Sequence, residues 1–277
     1  MARWLLFGTL ALVAMAIGFV LYQSDTYFRQ ASFVAGDTTS RDRLIVSGDL
    51  LTADPNRFEL TVRLTFEPQG SLLAADGRSL SRDLKLTVNA ATGAPDRLLP
   101  RDRPPAPTDV TISLYDGEPT EFPFDSYQGF LQLAVTEGPN GPPVPLQLNF
   151  GGGLQGLVVH AEPEGAALGV IGVGFRLSRS LTTIGFAVFV MLVQWALALV
   201  VIQLVRSVVS GERKVELAMF TWLGAMLFAF PALRGAAPGS PPIGALSDYL
   251  AFFWAESIVA VALVLIVSAW LRQKPSS

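Results

Sequence analysis

The sequence predicts a membrane protein of four transmembrane helices and an all-β extracytoplasmic antiparallel sandwich. Three observations carry that expectation. Of 277 residues, 51% are hydrophobic and only 16% are charged, and mean hydropathy is +0.44, on the membrane side of globular composition. Apolar runs of near-spanning length lie at both ends of the chain. Between them the apolar residues alternate with period two. The expected organisation is therefore an N-terminal transmembrane anchor over 1–22, an extracytoplasmic β-sandwich over 23–180, and a three-helix transmembrane domain over 181–277.

The first run, Trp4 to Tyr22, is 19 residues long without a charge, near the roughly 20 that cross about 30 Å of hydrocarbon. Ala14-Met15-Ala16 also resembles a signal cleavage site. The run continues past that site, which favours an uncleaved anchor. Three further runs cover Leu181 to Val205, Leu217 to Leu233 and Tyr249 to Leu271. The second of these carries Pro231 near its end, where a proline disturbs a helix least. Arg206, Arg213 and Lys214 lie between the first two of these runs, Arg272 and Lys274 in the tail, and Arg3 at the start; Arg234 is the single basic residue of the other connection. The positive-inside rule then puts both termini in the cytoplasm and 23–180 outside a cell membrane.

That outer segment holds 19 Asp and Glu against 13 Lys and Arg, a net −6, while the rest of the chain holds 4 against 7, a net +3. An acidic outer domain lacks the basic face that nucleic acid requires. With no cysteine, disulfides, thiolate nucleophiles and Cys-bound zinc are excluded. Phe58 to Phe66 alternates without a fault, placing Phe58, Leu60, Val62, Leu64 and Phe66 on one face. The period recurs at 84–88, 110–114, 131–135 and 144–150, with further strands expected at 43–50, 155–162 and 167–177. Turn signals separate them at Asp54-Pro55-Asn56, Asp76-Gly77, Asp116-Gly117 and Gly138–Pro143. About eight short strands with one apolar face predict a sandwich over a single core.

One stretch breaks the pattern. In DGEPTEFPFDSY, residues 116–127, Pro123 pushes Phe122 into the extended region, and Asp125 is placed to accept backbone N–H bonds as an Asx turn. Phe122, Pro123, Phe124, Asp125 and Tyr127 therefore read as a rigid structural corner with a buried aromatic anchor. The motif, together with one N-terminal span, an outer β-domain and three C-terminal spans, resembles an uncharacterised family of bacterial membrane proteins of unknown function with a Phe/Tyr-Pro-Phe-Asp signature. That family implies no activity. Phe122-Pro123-Phe124-Asp125 also looks like the Phe-Pro-Phe-Asp of pentameric ligand-gated channels, where it couples a β-sandwich to a pore. The chain departs from channels in having three spans rather than four after the outer domain.

The remaining candidates weigh against chemistry. Asp116, Glu118, Glu121 and Asp125 offer oxygen ligands without the spacing of a calcium loop. His160 is the only histidine and falls on the wetter side of its strand. Gly151–Gly156 lacks the lysine and following helix of a phosphate loop. Inside the membrane part, Glu256 is expected to face other helices, with Thr182, Thr183, Arg234 and Gln194 as candidate partners. The expectation is a non-enzymatic membrane protein with no catalytic residue, metal or cofactor, presenting its β-domain for protein assembly or envelope interaction. Its expected partners are membrane lipid and a membrane or envelope protein, a homo-oligomer being a further option, and not nucleic acid. The alternative is a ligand-gated-channel-like or transport-linked oligomer.

Overall fold

In the computed structural model, residues 15–16, 18–20, 22–23, 32–92 and 95–273 are described. The expected first span, 4–22, lies outside them except for a few helical residues between 15 and 22. The chain forms two compact units, one from the residues up to Glu118 with Asp125–Thr182, the other from Pro119–Phe124 with Thr183 onward.

Among the described residues the first unit is a β-structure of ten strands: β1 (Phe33–Gly36), β2 (Leu44–Asp54), β3 (Glu59–Pro68), β4 (Leu84–Val88), β5 (Asp96–Leu99), β6 (Thr108–Tyr115), β7 (Ser126–Glu137), β8 (Leu146–Gly151), β9 (Leu157–Ala167) and β10 (Val170–Arg179). They follow one path, β1-β8-β2-β3-β6-β7-β10-β9, with β4 hung on β7 and β5 on β4. The two ends of the path, β1 and β9, approach each other, so the sheet curls into a nearly closed barrel. β6 is a narrow seam, joined to β7 through only Leu114↔Gly129 and Tyr115↔Gln128.

Alternation explains what the strands bury. In β3, Leu60, Val62 and Leu64 are fully enclosed, while Arg63 faces water. Each such side chain contributes roughly 1.5–3 kcal/mol on burial, and Leu131, Leu133, Val135, Val173 and Leu177 face the same core from β7 and β10.

The expected sandwich differs from the structure in three ways. β2 pairs parallel with β8, so the sheet is mixed rather than antiparallel; five strands separate the two in sequence, long enough for the crossover that a parallel pair needs. β1 and β5 are additional, each only four residues long and too short to show a period. Phe58 lies outside β3: it ends the turn in which its N–H donates to the Pro55 carbonyl, at φ 56°, and is 39% exposed. A bulky residue rarely adopts that backbone. Here the Phe58 carbonyl accepts from the Leu114 N–H at 2.7 Å and its ring meets Tyr127 edge-on at 6.2 Å.

The second unit contains α1 (Leu181–Val209), α2 (Leu217–Gly235), a π-turn at Asp248–Phe252 and α3 (Phe253–Arg272). All three helices are long and apolar enough to cross a membrane, α3 being counted with its π-turn from Asp248. Their limits agree closely with the apolar runs read from the sequence. Small residues, Ala198, Ala255 and Ala262, sit in the shared interior with Val201, Leu223, Phe230, Val259 and Ile266, allowing close backbone approach. The Trp195 indole donates to the Leu250 carbonyl at 2.9 Å and so ties α1 to the π-turn.

Candidate functional site

The corner at 122–127 is divided between the units, and each unit has its own Arg–Asp pair, buried in the β-unit and partly buried in the helical one. In the β-unit, Ser126 pairs with Ser178, which brings Asp125 and Arg179 to the same end of β7 and β10. Arg179 Nε donates to Asp125 Oδ1 at 2.9 Å and Nη2 donates to Oδ2 at 2.7 Å. The Tyr127 hydroxyl donates to Oδ2 at 2.8 Å. All three residues are buried. Two parallel N–H···O bonds from one guanidinium form the strong, planar type of ion pair. Burial first, and then the neighbouring Asp125 carboxylate, push the Tyr127 phenol well above its ordinary range, so it stays a donor.

The preceding turn is shaped for this cluster. Asp116 is held at φ 52°, and a Cβ on Gly117 would run into the Ser126 carbonyl and the Tyr127 ring, so glycine is required there. The expected Asx turn is corrected: Asp125 turns inward to Arg179 and Tyr127 rather than to the backbone that follows it. With its oxygens so engaged, Asp125 is poorly placed as a base or a calcium ligand.

In the helical unit, Pro119–Glu121 form a 3-10 turn, and the Phe122–Pro123 peptide bond is cis. Phe122 is the buried anchor, packed with Ala187, Ala237 and Ala245, and its carbonyl accepts from the Ser247 N–H at 3.3 Å. Phe124 is 57% exposed, so only one of the two phenylalanines serves as an anchor. Beside Phe122, Arg234 Nε and Nη2 donate to the two carboxylate oxygens of Asp248, both at 3.0 Å. Nη2 also donates to the carbonyls of Pro241 at 3.1 Å and Pro242 at 2.8 Å, and the Gly244 N–H donates to Asp248 Oδ2 at 2.8 Å. The pair thereby closes the connection between α2 and the π-turn. A cavity of about 30 Å³ lies here, lined by Phe122, Gln194, Arg234, Ser247, Asp248 and Phe252 among others; it admits water but no organic ligand.

The intramembrane residues are placed differently from expectation. Arg234 is committed to Asp248 and does not reach Glu256. Gln194 is buried and lines this cavity, and Glu256 has a buried Oε2; among the described residues neither Gln194 Nε2 nor Glu256 Oε2 has a hydrogen-bond partner, so the two side chains do not bond to each other.

His160, Glu118 and Glu121 are not part of either pair. His160 is exposed on β9. Among the described residues no three His, Asp or Glu side chains are grouped closely enough to hold a metal ion. Both buried pairs escaped sequence reasoning. Arg234 and Asp248 leave a trace, opposite charges at facing ends of two apolar runs joined by a short Pro- and Gly-rich link. Arg179 and Asp125 leave none, because 54 residues separate them.

Fold and site together define a class of protein whose described residues form a nearly closed β-barrel and three apolar helices. Residues 34–177, just over half of the chain, match the domain of unknown function DUF4436, and the chain belongs to that family. Residues 179–273 match a second domain of unknown function, DUF8686. No curated protein matches the chain.

Proposed function

We propose that the chain is a non-enzymatic, four-span protein of the cell membrane with both termini in the cytoplasm. Residues 23–180 stand outside and present the β-unit for protein assembly or envelope interaction. The observation that supports this reading is how the buried charges are used. Asp125 and Arg179 in one unit, and Asp248 and Arg234 in the other, bond to each other and to nearby backbone and hydroxyl groups. They are spent on holding structure, and the three apolar helices supply the attachment to lipid.

The absence of native cysteine makes topology directly measurable. Arg101→Cys and Glu212→Cys are expected to differ in intact cells: a membrane-impermeant maleimide labels position 101 and spares 212. Labelling of both positions, or of 212 alone, overturns the orientation. Crosslinking in intact cells followed by mass spectrometry is expected to return a recurrent membrane or envelope neighbour. Recovery of lone chains only, or of a closed ring that conducts ions, defeats the assembly reading.

A further inference from the structure

The face of the β-unit turned away from its core carries a polar cleft that neither buried pair uses. Strand register sets four residues in one row across β6, β7, β10 and β9: Tyr115 opposite Gln128, Gln128 opposite Arg176, and Arg176 opposite His160. The next row is Phe130, Gly174 and Glu162. All four members of the first row are exposed, as are Glu162 and Glu164.

Backbone irregularity makes this face concave. The pairing of β9 with β10 shifts register between Ile171 and Val173, and Gly165 there has φ +79°. Such a bulge redirects a side chain, and here the Glu164 carboxylate lies across Gly174, where a Cβ would collide with it. At Gly172 a Cβ would meet the Glu164 carbonyl and the Phe130 ring. Gly174, with Glu164 drawn across it, thus lies in the floor of a cleft walled by polar side chains. The resulting cleft has a volume of about 300 Å³, within the roughly 300–1,000 Å³ range of ligand sites.

We propose that this cleft, bounded by Tyr115, Gln128, His160, Glu162, Glu164 and Arg176, binds an oligosaccharide. Among the described residues, none of these six side chains makes a hydrogen bond or ion pair within the protein, so their capacity is directed outward. Two carboxylates, one amide, one guanidinium and one imidazole supply donors and acceptors together, the mixture that a run of hydroxyl groups can meet from both sides. The Tyr115 ring adds an apolar surface for the carbon face of a sugar, with a hydroxyl at its tip. Two carboxylates against one guanidinium disfavour a polyphosphate chain. The acidic residues and His160 are not grouped as metal ligands. A shallow polar cleft on a sheet face offers little to an apolar ligand. The inference does not depend on which side of the membrane the β-unit faces.

The test uses the full chain in lipid nanodiscs, because detergents with sugar headgroups would compete. Maltotriose, cellotriose and chitotriose are titrated by saturation-transfer NMR, with trilysine as a control for a basic peptide. At least one trisaccharide is expected to bind saturably at millimolar or lower concentration, and Arg176→Ala, Glu162→Gln and Tyr115→Ala each to weaken it by about tenfold or more. Tyr115→Phe is expected to retain most of the binding, and all four variants, being exposed substitutions, to keep the parent melting temperature. The proposal is overturned if no trisaccharide binds, if binding is indifferent to the three weakening variants, or if trilysine alone binds.

Discussion

The two Arg–Asp pairs have nearly the same chemistry and different construction. Arg179 and Asp125 are joined across 54 residues, and their side chains are 5% and 0% exposed. Arg234 and Asp248 are 14 residues apart, with exposures of 19% and 1%, and lean on three backbone groups of their own connection. The first pair therefore depends on strand register, whereas the second is assembled by a short loop. A charge taken out of water needs a partner wherever it lies, but what is lost with that partner depends on how many other donors remain. Asp125 would keep only the Tyr127 hydroxyl. Asp248 would keep a backbone N–H and is adjoined by a cavity that admits water.

Arg179→Met is the most damaging single change. It leaves Asp125 buried with one hydrogen bond, and the expected loss is about 3–5 kcal/mol in denaturant unfolding of the full chain. Adding Asp125→Leu should recover much of that loss. A double variant no better than the single one would mean that packing, not the ion pair, governs this end of the barrel.

Arg234→Met is expected to cost roughly 2 kcal/mol, the scale of hydrogen bonds to a charged group, and to expose residues 236–247 to protease. Unaltered proteolysis would show that the proline-rich connection holds itself. Tyr127→Phe removes a single hydroxyl donor and leaves both Arg179 bonds in place, so about 1 kcal/mol is expected. A loss equal to that of Arg179→Met would contradict the unequal roles assigned to the two donors.

The smallest effect belongs to the surface. The Ser79 hydroxyl, then the Ser79 and Arg78 N–H groups, hold the Asp76 carboxyl down from the usual 3.8 to about 2. Its folded value is depressed, so its contribution is full above about pH 4 and fades as pH falls toward 2. An NMR titration of Asp76 should give a midpoint near 2. A midpoint near 3.8 would show that the turn is not formed in solution.

Much of this was legible in residue order wherever the governing interaction is local. The apolar runs 181–205 and 217–233, the alternation in Leu60, Val62 and Leu64, and the turn at Asp76-Gly77 all act over a few residues. Phe58 shows where that reasoning fails, because it continues the alternation while a turn and the Tyr127 ring claim it. At Asp125, a nearby backbone partner was the natural inference, and a distant arginine takes its place. Glu256 and Gln194, both suited to bond across helices, do not meet each other.

By itself the sequence determined where the three C-terminal helices and eight of the ten described strands arise, which residues of those strands alternate as apolar, and that no cysteine chemistry operates, since periodicity and composition are properties of neighbouring residues. Only the tertiary structure decided that β2 lies parallel to β8, that Asp125 meets Arg179, and that a bulge carries Glu164 over Gly174. Those outcomes depend on register between segments far apart in the chain, and one residue of slip would send every side chain of a strand to the opposite face.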